Sequence, residues 1–173
     1  DGANDALASA NIIANTGNTM SAFAVIRRTA NAADYCRVMS FIGPNGDTDW
    51  SVSGNWCLNN GANGATNRVE RGGPNDLGTL PSVNTAYIAE VVFDGAEARS
   101  YLTGQFYGQF NSSGSFNISQ MAVGQGYTNG TPVSFFQGDV AEILVYNSAL
   151  NDADRQTVES YLKAKWALPD VSP

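Results

Sequence analysis

Carboxylates, amides and a few aromatic rings in polar segments are the groups in this sequence that could do chemistry. The 173 residues include no His, so Ser/His/Asp and Cys/His nucleophilic catalysis and every zinc site built on His are excluded. Acid-base chemistry would therefore have to rest on pairs of carboxylates.

A calcium site is the second chemical candidate, because hard oxygen ligands suit an acidic chain without His. Asn45, Asp47 and Asp49 offer three side-chain oxygens at alternate positions of a loop that contains a Gly. The alternative is a polar hairpin turn with Asx caps, since no bidentate Glu follows at the position that an EF-hand requires. Calcium is therefore the one cofactor that the sequence suggests, and the turn is the favoured interpretation.

Sugar recognition is the third candidate, because a flat ring covers the apolar face of a pyranose while amides satisfy its hydroxyls. Trp50 and Trp56 flank a polar segment, and Tyr127 and Asn129 lie in GQGYTNGT. Aromatic rings at alternate positions can instead line a core, which fits the segment GQFYGQF better. Trp50, Trp56, Tyr127 and Asn129 are the predicted glycan contacts.

Composition limits the partners. The chain has 16 Asp and Glu against 9 Lys and Arg, a net charge of −7, which disfavours binding to nucleic-acid phosphates. No apolar run approaches the roughly 20 residues needed to cross a bilayer, so membrane insertion is not expected. The length suits one domain, since all-β domains run to roughly 200–250 residues.

Alternating apolar residues predict a series of strands joined by short turns. The predicted strands cover 19–27, 36–42, 50–58, 66–70, 86–93, 98–102, 116–124 and 135–146, and most of 59–78 is predicted as a long exposed loop. A turn at 44–47 would place Cys36 opposite Cys57, so this register permits a cross-strand disulfide. Two buried thiols that act as small apolar residues are the alternative.

A single amphipathic helix is predicted after the last strand. Asn151 is a good N-cap, and acids in the first turn and lysines in the last turn suit the helix macrodipole. We expect Tyr161 and Trp166 to close the core rather than to bind a ligand. The predicted apolar stripe consists of Val158, Tyr161, Leu162 and Trp166.

The order of these segments resembles that of laminin-G-like, concanavalin A-like jelly-roll domains. The matching pieces are an Asp-Gly … Tyr-Leu-x-Gly hairpin over 94–104 and a closing Gly-Asp-x-Ala-Glu-x-x-x-Tyr-Asn-x-x-Leu segment over 138–150, followed by the helix. The pattern and the resemblance imply an all-β fold: a two-sheet antiparallel jelly-roll β-sandwich with one C-terminal amphipathic α-helix. The domain is expected to span 1–168, with 169–173 as a linker-like tail.

The same family includes sugar-cleaving enzymes as well as lectins. Jelly-roll glucanases carry Glu-x-Asp-x-x-Glu on one strand, whereas Glu90, Asp94 and Glu97 have a different spacing and include a turn. Asp139 and Glu142 are three apart, which on a regular strand sends the two side chains to opposite faces. We expect both to be structural, with Glu142 meeting buried backbone donors or an arginine.

These observations predict a non-catalytic binding and attachment module on a larger extracellular, cell-surface or virion-surface protein. Glycan recognition, as in adhesion, is the first hypothesis. A structural or decoration domain that docks on protein neighbours is the alternative, and a glycoside hydrolase is a distant third.

Overall fold

The described part of the chain is built from antiparallel strands and a single helix. The computed structural model describes residues 5–9, 17–30, 36–44, 56–59, 66–71 and 74–169. In chain order the elements are β1 (Leu7–Ala8), β2 (Thr19–Arg28), β3 (Arg37–Ile42), β4 (Trp56–Asn59), β5 (Thr66–Glu70), β6 (Pro74–Thr79), β7 (Ala86–Asp94), β8 (Glu97–Leu102), β9 (Gln105–Asn111), β10 (Gln120–Val123), β11 (Gly126–Thr128), β12 (Thr131–Val133), β13 (Gly138–Tyr146) and α1 (Asp152–Trp166).

Two sheets stack face to face and enclose the main core. The six-stranded sheet has the order β1-β10-β3-β4-β5-β6, the five-stranded sheet has the order β13-β2-β7-β8-β9, and β11 and β12 form a separate hairpin. Alternate residues of each strand point between the sheets, and Met20, Phe41, Tyr87 and Phe93 are completely buried there. The predicted all-β sandwich with one C-terminal helix is confirmed.

The second face of the five-stranded sheet is also apolar and is covered by α1. Phe23, Val25 and Ile88 point away from the main core and form a smaller cluster with Leu162 of the helix. The predicted N-cap is confirmed, because Asn151 Oδ1 accepts the backbone N–H of Asp154 at 2.9 Å. No helix within the described ranges is both long and apolar enough to span a membrane.

The prediction that Tyr161 and Trp166 close the core is wrong. Their exposed fractions are 50% and 39%. Tyr161 lies about 100° around the helix from Leu162, on the solvent side. Trp166 is the last helical residue and lies at the margin of the sheet, where its indole N–H donates to Glu142 Oε2 at 2.7 Å. Leu162 and the partly buried Val158 therefore carry the helix contact instead.

Five strands were not predicted as such: β1, β6, β9, β11 and β12. β6 falls in the segment predicted as an exposed loop, because PNDLGT has few apolar residues. It is an edge strand, and such a strand needs only part of one face to be apolar. Leu77 supplies this apolar part, since its side chain is buried in the main core. Arg68 of β5 holds it through hydrogen bonds of 2.6 and 2.9 Å to the two carboxylate oxygens of Asp76.

The predicted hairpin register around the two cysteines is also wrong. Cys57 pairs with Ser40, and Arg37 pairs with Asn59, with an irregularity between these positions. This register differs from the one that would place Cys36 opposite Cys57. The side chain of Cys36 is buried in the main core, while that of Cys57 lies outside the described residues.

A buried ion pair fastens the helix to the sheet. Glu90 of β7 is completely buried beneath α1, and its Oε2 accepts a 2.9 Å hydrogen bond from Arg155 Nη1. Its Oε1 accepts the backbone N–H of Gly104 at 2.9 Å. Arg155 also contacts Glu159 at 3.3 Å, so two carboxylates share one guanidinium. Burial raises the pKa of Glu90 from 4.5 to about 7.

The raised pKa of Glu90 predicts a pH-dependent stability. The folded protein holds this proton more tightly than the unfolded chain, so the contribution of Glu90 is fully present below pH 4.5 and is lost as the pH rises through 7. In the unmodified protein the free energy of unfolding should fall by about 3 kcal/mol between these limits, since one pKa unit corresponds to about 1.4 kcal/mol. We expect Glu90→Gln to lack this fall, because glutamine does not ionise. Urea unfolding across this pH range measures it.

Glu97→Gln is the control, because Glu97 lies in the next strand and is only partly buried. Its profile should run parallel to that of the unmodified protein. A Glu90→Gln profile with the same slope as the unmodified protein would show that Glu90 stays ionised throughout.

Candidate functional site

The β11–β12 hairpin carries two of the predicted glycan contacts. Tyr127 pairs with Pro132 and Thr128 pairs with Thr131, which leaves Asn129 and Gly130 as a two-residue turn. Both turn residues have positive φ, 49° and 76°, as a type I′ turn requires and as Asn-Gly supplies at low cost. The tip of the hairpin from 128 to 132 is exposed, and Tyr127 is half-buried at its base.

Hydrogen bonds fix the Tyr127 ring to β3. The phenol oxygen accepts a 2.7 Å hydrogen bond from Gln125 Nε2. The Gln125 carbonyl accepts a 2.8 Å hydrogen bond from Ser40 Oγ, and Ser40 is completely buried. The ring is therefore held in one position before any ligand arrives, which lowers the entropic cost of binding.

Arg37 attaches the other strand of the hairpin to the sheet. Its Nη1 donates to Ser134 Oγ at 3.1 Å and its backbone N–H donates to the Ser134 carbonyl at 2.9 Å. Its Nη2 donates to Glu70 Oε2 at 3.0 Å, and both side chains are buried. Gly126 passes so close to Arg37 that an added Cβ would collide with the Arg37 Cδ. Hairpin and sheet are thus joined by charged groups shielded from water.

The other predicted site residues lie outside this arrangement. Trp50 and the proposed calcium ligands Asn45, Asp47 and Asp49 fall outside the described residues. Trp56 is in β4 opposite Phe41, and only its backbone is described. Within the described ranges, no group of three acidic or thiol side chains is placed to hold a metal ion. Tyr127 and Asn129 are therefore the predicted contacts that the structure brings together.

The two carboxylates of β13 are arranged differently from the prediction. Asp139 pairs with Arg27 and Glu142 pairs with Val25, because a bulge at Ala141 inserts one extra residue between them. The bulge shifts the side-chain alternation by one position. Asp139 and Glu142 therefore lie on the same face, and both line a groove of about 690 Å³ next to β1.

Each of these carboxylates is already engaged. Glu142 accepts hydrogen bonds from Trp166 and Lys165, not from the buried donors or arginine that the sequence predicted. These hydrogen bonds lower the pKa of Glu142. Asp139 Oδ2 accepts two hydrogen bonds from Arg27, at 2.6 and 2.8 Å. A glycosidase acid needs a raised pKa, and the raised pKa here belongs to Glu90, which is completely buried under the helix.

Comparison with solved structures gives the relatives of the fold. No protein-family model and no curated protein sequence matches the chain. The chain is similar to the CBM40 domain of the Ruminococcus gnavus IT-sialidase, bound to α2,3-sialyllactose, with a TM-score of 0.65 and 14% identity over 88% of this chain and 97% of that one. It is also similar to a SAP-like pentraxin from Limulus polyphemus, with a TM-score of 0.64 and 12% identity over 89% and 75% of the two chains.

A third neighbour is domain 4 of an extracellular arabinanase from Geobacillus stearothermophilus in complex with arabinotriose. Its TM-score is 0.60, at 12% identity over 86% of this chain and 68% of that one. A Trypanosoma rangeli sialidase also matches, with a TM-score of 0.62 and 16% identity, but the match covers only 24% of that enzyme. At these identities the likeness shows a shared β-sandwich fold.

The tight approach of Gly126 to Arg37 gives a test of the hairpin attachment. Gly126→Ala should destabilise the protein by about 1–3 kcal/mol, as overpacked sites do, because Arg37 is tied at both ends and cannot move aside. Gly130→Asn is the control, since the added side chain meets open space and Asn tolerates the positive φ. Thermal unfolding of both variants measures the difference. Equal losses would mean that the hairpin is not held against Arg37.

Proposed function

We propose that this chain is a non-catalytic glycan-binding module that recognises its ligand through the β11–β12 hairpin. The observation that carries the proposal is the fixed, half-exposed Tyr127 ring on the same hairpin as the exposed Asn129. A ring of this kind covers an apolar sugar face, and the amide both donates to and accepts from hydroxyls. Because the hairpin is rigidly attached to β3, little conformational entropy is lost on binding.

The structural neighbours support the same function. The CBM40 domain has α2,3-sialyllactose bound, and the arabinanase domain has arabinotriose bound. The present chain matches nearly the whole CBM40 domain but only a quarter of the Trypanosoma sialidase. The match therefore favours a binding domain over a catalytic one.

The non-catalytic assignment rests on the described carboxylates. Glu142 and Asp139 are each ion-paired with a basic residue, and Glu90 is completely buried beneath the helix, so we assign none of the three as a general acid. We further propose that residues 1–168 act as one laminin-G-like domain on a larger extracellular, cell-surface or virion-surface protein, joined through 169–173. Of that tail, 170–173 fall outside the described residues.

Exposed apolar side chains favour the second candidate function, a structural or decoration domain. Leu7 and Phe106 are 73% and 52% exposed, on different sheets. Such residues can meet protein neighbours, and a stable interface of this kind buries more than about 1,000 Å² in total. Sedimentation of the purified chain, alone and with its parent protein, separates this function from glycan binding.

Substitution of Tyr127 tests the glycan hypothesis. A glycan array followed by calorimetry should give a saccharide whose affinity falls at least tenfold in Tyr127→Ala, because the ring is lost. Tyr127→Phe should lose less, since it keeps the ring and removes the hydroxyl that accepts from Gln125. Phe106→Ala is the matched control, an exposed ring on the other sheet. Flat traces at millimolar saccharide, or equal losses in Tyr127→Ala and Phe106→Ala, would contradict the proposal.

The calcium hypothesis has a separate test. If Asn45, Asp47 and Asp49 bind calcium, the ion should raise the melting temperature by several degrees, since saturation at about 100 times Kd stabilises by about 2.7 kcal/mol. Chelation should reverse the shift, and Asp47→Asn with Asp49→Asn should abolish it. Asp152→Asn, an exposed acid in the helix, should leave the shift intact. A melting temperature indifferent to calcium would leave the polar turn as the correct interpretation.

A further inference from the structure

A small groove lies at the C-terminal end of α1, on the opposite sheet from the Tyr127 hairpin. Its volume is about 360 Å³, at the lower end of the roughly 300–1,000 Å³ typical of small-molecule sites. Val25, Ala86 and Ala141 give it an apolar floor, and Trp166 forms one wall. Neither the glycan contacts predicted from the sequence nor the Tyr127 site includes this groove.

The Trp166 ring is fixed in place. Its indole N–H donates to Glu142 Oε2, and Lys165 Nζ donates to the other oxygen of Glu142 at 3.0 Å. The helix ends at Ala167, whose left-handed conformation lets its N–H bond to the Lys163 carbonyl. The polar atom of the ring thus already has a hydrogen-bond partner, while Trp166 as a whole remains 39% exposed.

A charged pair forms the polar rim of the same groove. Both hydrogen bonds of the Arg27–Asp139 pair go to one carboxylate oxygen, Oδ2. Within the described residues, Arg27 Nη1 and Asp139 Oδ1 have no hydrogen-bond partner, and both side chains are more than half exposed. The groove therefore offers one hydrogen-bond donor and one acceptor next to an aromatic wall.

We propose that this groove binds a neutral saccharide unit that carries two adjacent hydroxyls. One hydroxyl donates to Asp139 Oδ1, the other accepts from Arg27 Nη1, and the apolar face of the sugar ring packs on Trp166. Arg27 and Lys165 balance Asp139 and Glu142 around the groove, so no net charge attracts an acidic sugar. Asp139 and Ala141 also line the larger groove, into which a longer glycan can extend.

The inference goes beyond the proposed function, because the two sites lie on different sheets and each can fail alone. The test uses the full ¹⁵N-labelled chain with arabinotriose, cellotriose and lactose at millimolar concentration. We expect at least one of them to shift the indole N–H resonance of Trp166, assigned with Trp166→Phe. Sialyllactose should shift it less than its neutral counterpart, lactose.

Variants locate the site. Trp166→Ala should weaken binding of that saccharide at least tenfold, and Asp139→Asn about three- to tenfold, the effect of losing one hydrogen bond. Ala86→Leu fills the floor and removes no polar group, so it keeps the test valid if Trp166→Ala fails to fold. Tyr127→Ala is the matched control and should leave the Trp166 shift unchanged.

Three results would overturn the inference. They are the absence of a Trp166 shift with all three neutral saccharides, loss of the shift in Tyr127→Ala, and unchanged binding in Ala86→Leu. Self-association that disappears in Trp166→Ala would instead mean that the groove holds an apolar side chain of a second copy, and the saccharide assignment would fail. If the Trp166 groove fails these tests, the binding results for the Tyr127 site remain valid, because the two sites are tested independently.

Discussion

The two-sided burial of β2 and β7 is the constraint on which the rest of the molecule depends. One face of these strands packs against the six-stranded sheet, so the other face, with Phe23 and Ile88, needs a second apolar cover. The helix supplies it through Leu162. Because Glu90 lies in this second face, it needs a cation, and Arg155 meets it from the helix. A buried pair of this kind costs desolvation but makes one docking geometry of the helix strongly preferred.

With both faces of the five-stranded sheet covered, we propose that ligands meet the sandwich at its margins. The Tyr127 hairpin lies beside β3 and is anchored by the buried pair of Arg37 and Glu70. On the opposite sheet, the end of the helix holds Trp166 through Glu142. Both surfaces follow one arrangement, in which a partly exposed aromatic ring is fixed by a polar group beneath it. Rigid rings of this type suit recognition, because little conformational entropy is lost on binding.

The same fold serves carbohydrate-binding domains and a pentraxin at 12–14% identity. The sandwich by itself therefore does not determine a ligand. We propose that in this chain the ligand depends on side chains at the margins and on how their charges are paired. The bulge at Ala141 shows how strongly the placement of these side chains depends on strand register. One inserted residue moves Glu142 to the face of Asp139 and into contact with the helix.

The sequence by itself determined the doubly apolar strands, the amphipathic helix after Asn151 and the exclusion of imidazole chemistry, because each is encoded in local spacing or composition. It also pointed to Tyr127 as a ligand contact, since this ring lies in a polar segment rich in Gly and Asn. Only the tertiary structure decided that Trp166 is half-exposed, that Cys57 pairs with Ser40 and that polar segments such as β6 join the sheet as edges. These features depend on which distant strands pair and in which register, and a single residue of offset reverses the face of every side chain that follows.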